Sequence, residues 1–198
     1  MNVEDIRYFK LAAIGFVFAY IYLFLNQYKF FRKNLIGQIF PFATGIAGAI
    51  IIVYSNILFV NQIGKSSAAI LPYFGWLLII FGGVVFVLSW ELNFKSKRHG
   101  DEDKFLYTKG MYALCRNPQT FGLFLILAGE VLYTIKLNSL YFSILNTALF
   151  LIYAILEEKL DMEKKFGEKF TKYKENTPII IPTPPSIKRC VETFWGRG

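Results

Sequence analysis

Apolar residues gather into five long runs separated by polar segments: Tyr8–Asn26, Ile36–Val60, Ile70–Glu91, Gln119–Tyr133 and Leu140–Leu156. Inside hydrocarbon a backbone must bond within its own segment, so apolar runs of this length predict membrane-crossing helices. The last two, at 15 and 17 residues, sit at or just below the lower limit for a core about 30 Å thick. The pattern therefore predicts an all-α integral membrane protein, with residues 1–198 as a single membrane domain of five transmembrane helices. Only Thr134–Ser139 joins the last two runs. So short a link forces an antiparallel hairpin with axes about 8–10 Å apart.

Composition agrees with the pattern: 55% of the residues are hydrophobic, too many for a soluble domain of 198 residues. The first run follows MNVEDIRYFK, with neither a basic leader nor a small-residue cleavage site, and is expected to stay as a helix. In the second run Gly45 and Ala49, with Ala43 and Ala47, make the small-xxx-small spacing of close helix contacts, either within the chain or at a dimer face. Pro41 and Pro72 lie near span starts, where a missing N–H costs little.

The net charge of +8 is distributed by side, not along a nucleic-acid face. With five spans, the first and third loops and the tail share one side and hold 18 Lys and Arg; the other side holds 4, among them Arg7 and Lys10. The positive-inside rule then places the N-terminus outside and the C-terminus in the cytoplasm. The basic excess serves orientation and attraction to membrane lipids, so no nucleic-acid partner is expected. Cys115 and Cys190 fall on the cytoplasmic side, where thiols stay reduced. The only histidine, His99, stands in KSKRHGDED with no ligands at metal spacing, so no metal site is expected.

Past the fifth run, EEKLDMEKKFGEKFTKYK places Met162, Phe166, Phe170 and Tyr173 at i, i+4, i+8 and i+11. One apolar stripe among lysines and glutamates predicts a helix lying in the cytoplasmic interface. Pro178, Pro182, Pro184 and Pro185 then end the regular structure.

Chemistry concentrates where the hairpin's two cytoplasmic ends meet. The fourth span opens on CRNPQ and the fifth leaves through LEEKL. Arg116, Asn117 and Pro118 are therefore expected to face Glu157 and Glu158. A cation, an amide and two carboxylates at the mouth of an apolar bundle are costly unless paired or wet, which makes them candidate site residues.

The segment LYTKGMYALCRNPQTFG resembles a signature of the isoprenylcysteine carboxyl methyltransferases and phospholipid N-methyltransferases, G-x-Y-x-x-x-R-H-P-x-Y-x-G. Gly110, Tyr112, Arg116, Pro118 and Gly122 match it; Asn117 and Thr120 replace its histidine and second aromatic. About 35 residues on, Glu157, Glu158, Phe166, Gly167, Phe170, Tyr173, Pro178 and Pro182 resemble the second signature of that superfamily. Counted back from Phe166-Gly167, the glutamate pair is offset by one residue, which favours Glu158 over Glu157. The resemblance covers about the last 80 residues. It implies a cytoplasm-facing pocket for S-adenosylmethionine, completed by residues 157–185, and a lipophilic acceptor entering from the bilayer. The acceptor would be a prenylcysteine-like carboxylate or a lipid head group. Arg116 and Glu158 would be catalytic, with Tyr112, Asn117, Pro118, Gly122, Glu157 and Glu158 around the cofactor. Arg116 could grip an acceptor carboxylate bidentately. Sterol reductases, which use NADPH, carry a similar arginine-x-proline segment. A reductase and a non-catalytic protein derived from the methyltransferase fold are the alternative readings.

Overall fold

A computed structural model describes residues 3–25, 28, 35–68, 70–97 and 106–194. The basic residues Lys29, Arg32 and Lys33 of the first loop, and His99 with most of KSKRHGDED, lie outside these. The described chain is all helical: α1 (Val3–Leu25), α2 (Leu35–Ile63), α3 (Leu71–Lys97), α4 (Met111–Leu114), α5 (Pro118–Thr134) and α6 (Leu137–Glu157). A π turn (Glu158–Met162) follows, then α7 (Glu163–Phe166), α8 (Glu168–Asn176) and α9 (Pro184–Phe194).

Among the described residues, four helical stretches are long and apolar enough to cross a membrane: Asp5–Leu25, Ile39–Ile63, Leu71–Ser89 and Leu137–Phe166. They coincide with the first, second, third and fifth apolar runs, and the chain is an integral membrane protein. The fourth run forms α5, whose 17 residues rise only about 26 Å at 1.5 Å each. That is short of the hydrocarbon thickness of about 30 Å. Away from their ends, the long helices expose mainly apolar side chains: Ile14, Val17, Ile21 and Phe24 form one stripe on α1. Such outward apolar stripes suit lipid rather than water.

The chain divides into two compact units, Met1–Pro72 with Glu130–Leu149, and Tyr73–Gly129 with Phe150–Gly198. In the first, α1 and α2 run antiparallel in close contact. A Cβ on Gly15 would lie 2.9 Å from the carbonyl oxygen of Gly48, and one on Gly48 would lie 2.7 Å from that of Gly15. Gly45 faces the Tyr22 ring of α1 in the same seam, whereas Ala43 and Ala49 are exposed. The start of α6 joins this pair through Phe59 and Phe142, stacked 4.2 Å apart, with Phe9 edge-on to Phe142 at 5.0 Å. Asn138 donates to the buried Asp5 carboxylate (2.9 Å), and the Tyr20 hydroxyl donates to the Leu149 carbonyl (2.9 Å). Pro41 lies inside α2, in its second turn, because the helix starts at Leu35. Pro72 and Pro118 occupy first turns as expected.

In the second unit a pair of evenly spaced glycines on each helix sets the seam between α3 and α5. A Cβ on Gly82 would lie 2.5 Å from the Gly122 carbonyl oxygen, and one on Gly129 would lie 2.6 Å from that of Gly75. Residues 75 and 82, like 122 and 129, are two turns apart, so both pairs meet when the helices run antiparallel. The expected single stripe from Met162 to Tyr173 is interrupted. Gly167, at φ 51°, breaks the helix between α7 and α8, and Phe170 is buried against Tyr173.

Candidate functional site

The site grows from the break between α4 and α5. Cys115 is extended (φ −155°, ψ 159°), and Pro118 then fixes the first turn of α5, where a missing N–H costs nothing. The two residues between lie alongside the segment after α8. Arg116 N–H donates to the Pro178 carbonyl (2.8 Å) and Asn117 N–H to that of Ile179 (3.0 Å). Thr177 and Ile180 in that segment are buried.

The Arg116 side chain points the same way. Nε donates to Glu158 Oε1 (3.0 Å) and Nη2 to Oε2 (3.2 Å), a two-pronged ion pair. Nη1 donates to the carbonyls of Lys174 (3.1 Å) and Thr177 (2.6 Å). Asn117 Nδ2 donates to Glu158 Oε1 (2.9 Å). The two side chains of the ion pair are only 11% and 8% exposed. Buried charges are sustained only when paired and hydrogen-bonded, and here both carboxylate oxygens and three guanidinium nitrogens are engaged.

The π turn bears on this register. It begins at Glu158, and a π turn accommodates one extra residue in a helix. The one-residue offset noted between the glutamates and Phe166-Gly167 coincides with it. Glu158 meets Arg116; Glu157, half-buried, sits one position earlier on α6.

Tyr112 is half-buried, its ring edge-on to Tyr107 (5.8 Å between centroids). Its carbonyl accepts from the Tyr173 hydroxyl (2.6 Å), and Gly110 N–H donates to Thr193 Oγ1 of α9 (3.0 Å). Burial pushes both phenols above their ordinary range, and lifts the Cys115 thiol from 9.0 to about 12. Cys115 and Cys190 are free thiols. Lys174 holds Glu163 at 2.6 Å.

Thus Arg116, Asn117 and Glu158 form one cluster, with Pro118 buried at its base and Tyr112 tied to it through α8. Gly122 packs against α3, where a Cβ would lie 2.7 Å from the Gly82 carbonyl oxygen. Sequence reasoning missed the backbone acceptors at 174 and 177–179 and the Tyr173–Tyr112 bond. It also missed the glycine seam, although the spacing of seven on each helix was a usable signal. No group of three His, Cys, Asp or Glu able to hold a metal occurs among the described residues.

The cluster has acceptors suited to S-adenosylmethionine, whose sulfonium, ammonium and ribose hydroxyls seek carboxylate or amide oxygens. Glu158 and Asn117 carry such oxygens side by side at the first turn of α5, and Glu157 lies near Tyr112. Comparison with known proteins matches residues 70–169 to the family model described as phospholipid methyltransferase. No curated protein and no solved structure matches the chain.

Proposed function

The chain belongs to the phospholipid methyltransferase family, and we propose that it transfers a methyl group from S-adenosylmethionine to a lipophilic acceptor reached from the bilayer. The observation that carries this reading is the buried Arg116–Asn117–Glu158 cluster at the start of α5, which falls inside the matched region. When bound, the cofactor supplies an electrophilic methyl on a sulfonium. The protein has then to align the acceptor and exclude water, and needs no proton relay to activate the methyl group.

In this proposal Glu157 and Asn117 Oδ1 hold the polar groups of the cofactor, with the half-buried Tyr112 as a wall. Glu158 shares in that binding while anchoring Arg116. Arg116 is a positioning residue: Glu158 and two backbone carbonyls engage its guanidinium, so it orders the tail around the pocket. Its engagement removes one reason to prefer an acceptor carboxylate; a lipid head-group amine is then also an acceptor, once it has given up its proton to water. Asn117 keeps donors and an acceptor but cannot titrate near neutrality. Gly122 is assigned to the α3 seam and Pro118 to the helix start.

The proposed topology has five spans, with α5 completing the count, the N-terminus outside and the site in the cytoplasm. The test is a thermal-shift titration of the detergent-purified protein with S-adenosylhomocysteine, and with NADPH in parallel. Saturable stabilisation by the first alone, lost in Glu158→Ala, is expected. Stabilisation by NADPH alone would mark a reductase, and stabilisation by neither a non-catalytic protein.

A further inference from the structure

A groove of about 680 Å³ opens on the first unit between α1 and α2, lined by Arg7, Lys10, Leu11, Ile14, Tyr54 and Leu58 among others. Residues 7, 10, 11 and 14 follow one face of α1, and 54 and 58 follow one face of α2. The antiparallel pairing at Gly15–Gly48 and Tyr8–Phe59 sets Tyr54 and Leu58 beside Ile14 and Lys10. The groove is therefore polarised along its length. Two cations stand at the start of α1, and the walls become apolar two turns further in.

Arg7 and Lys10 are exposed, and neither is ion-paired to a residue whose side chain the structure describes. Asp5 is turned to the interior, where it accepts from Asn138. The stretch apolar enough to cross a membrane begins at Asp5, so both cations lie in its first two turns, near one end of the helix. Long basic side chains near the end of a lipid-facing helix reach out to the head groups of the interface.

We propose that this groove binds one anionic glycerophospholipid. Its phosphate sits on Arg7 and Lys10, and one acyl chain runs along Ile14, Tyr54 and Leu58. A head group carrying an ammonium would bring a third cation to the pair, so a phosphatidylglycerol-type lipid is selected over phosphatidylcholine. This site is independent of the methyl-transfer reading, because it uses none of the residues placed in that cluster.

Native mass spectrometry of the full chain, titrated with phosphatidylglycerol and phosphatidylcholine of matched acyl chains, tests it. One phosphatidylglycerol per chain should bind saturably, ahead of phosphatidylcholine. In Arg7→Gln/Lys10→Gln its affinity should fall about 30-fold, since each interfacial cation contributes about 1 kcal/mol. Ile14→Trp, which fills the apolar end and leaves both charges, should also weaken binding. Equal uptake of the two lipids, uptake without saturation, or full retention by the double variant would each overturn the proposal. So would a groove closed by a second copy of the chain, seen as a stable dimer without bound lipid. The wild-type comparison decides the matter even if a variant fails to fold.

Discussion

At the scale of single residues, the site is held by a few bonds of unequal strength. Removing Arg116 leaves Glu158 buried with only Asn117 as partner, and breaking a buried pair costs about 3–5 kcal/mol. Arg116→Ala should therefore lose cofactor binding together with stability, read as a lower unfolding midpoint in detergent. Arg116→Lys keeps the charge but not the fork, and should fall between wild type and alanine. The double variant Arg116→Met/Glu158→Leu should lose less stability than the two single losses combined, because no charge is left stranded. Tyr173→Phe removes only the bond to the Tyr112 carbonyl, a loss of about 1 kcal/mol. Burial also fixes a pH response. Cys115 stays protonated up to about pH 12 when folded, against an ordinary 9.0, so above pH 9 the unfolded chain loses a proton that the folded chain keeps. Stability should decline as pH rises from 9 to 12. The raised phenols of Tyr112 and Tyr173 add to the decline above their ordinary 10.0. Denaturant titrations across that range check the sign.

At the scale of helices, the seam between α3 and α5 discriminates between two adjacent glycines. A Cβ on Gly82 would strike the Gly122 carbonyl oxygen at 2.5 Å, whereas one on Gly83 meets nothing within 4 Å. Gly82→Ala should destabilise, because backbone on both sides must shift. Gly83→Ala should be neutral or gain up to about 1 kcal/mol from helix propensity. Equal unfolding midpoints for the two variants would refute the close approach. The elements were legible to very different degrees. The apolar runs announced the long helices because lipid exposure demands continuous apolar sequence. The meeting of Arg116 with Glu158 was legible too, since Thr134–Ser139 is too short for anything but a hairpin. The break at Gly167 was hidden, because a lone glycine in a helical stripe is compatible with an unbroken helix until its φ of 51° is seen. The Gly15–Gly48 contact was equally hidden. The small residues of α2 pointed to several registers, and only the partner helix selects one.

At the scale of the whole molecule, the site depends on chain beyond the family's matched region, which ends at residue 169. Lys174, Thr177, Pro178 and Ile179 all contribute through backbone carbonyls. Any side chain leaves a carbonyl in place, so these contacts impose no residue type and give the sequence no signature. The presence of the segment matters more than its composition. Lys174→Ala should lose its exposed bridge to Glu163 and its place over the Phe170 ring, a small effect for a solvent-screened side chain, and keep the bond from Arg116 to its carbonyl. A chain ending at Asn176 should behave differently. Arg116 Nη1 loses the Thr177 carbonyl, the N–H groups of Arg116 and Asn117 lose both acceptors, and Gly110 loses Thr193 of α9. The start of α5 then has only Glu158 and the Lys174 carbonyl to order it. Such a chain should insert into membranes like the full protein, since all four crossing stretches precede the cut. It should give no stabilisation by S-adenosylhomocysteine in the titration where Lys174→Ala responds fully. Retained binding by the shortened chain would move the pocket away from this segment.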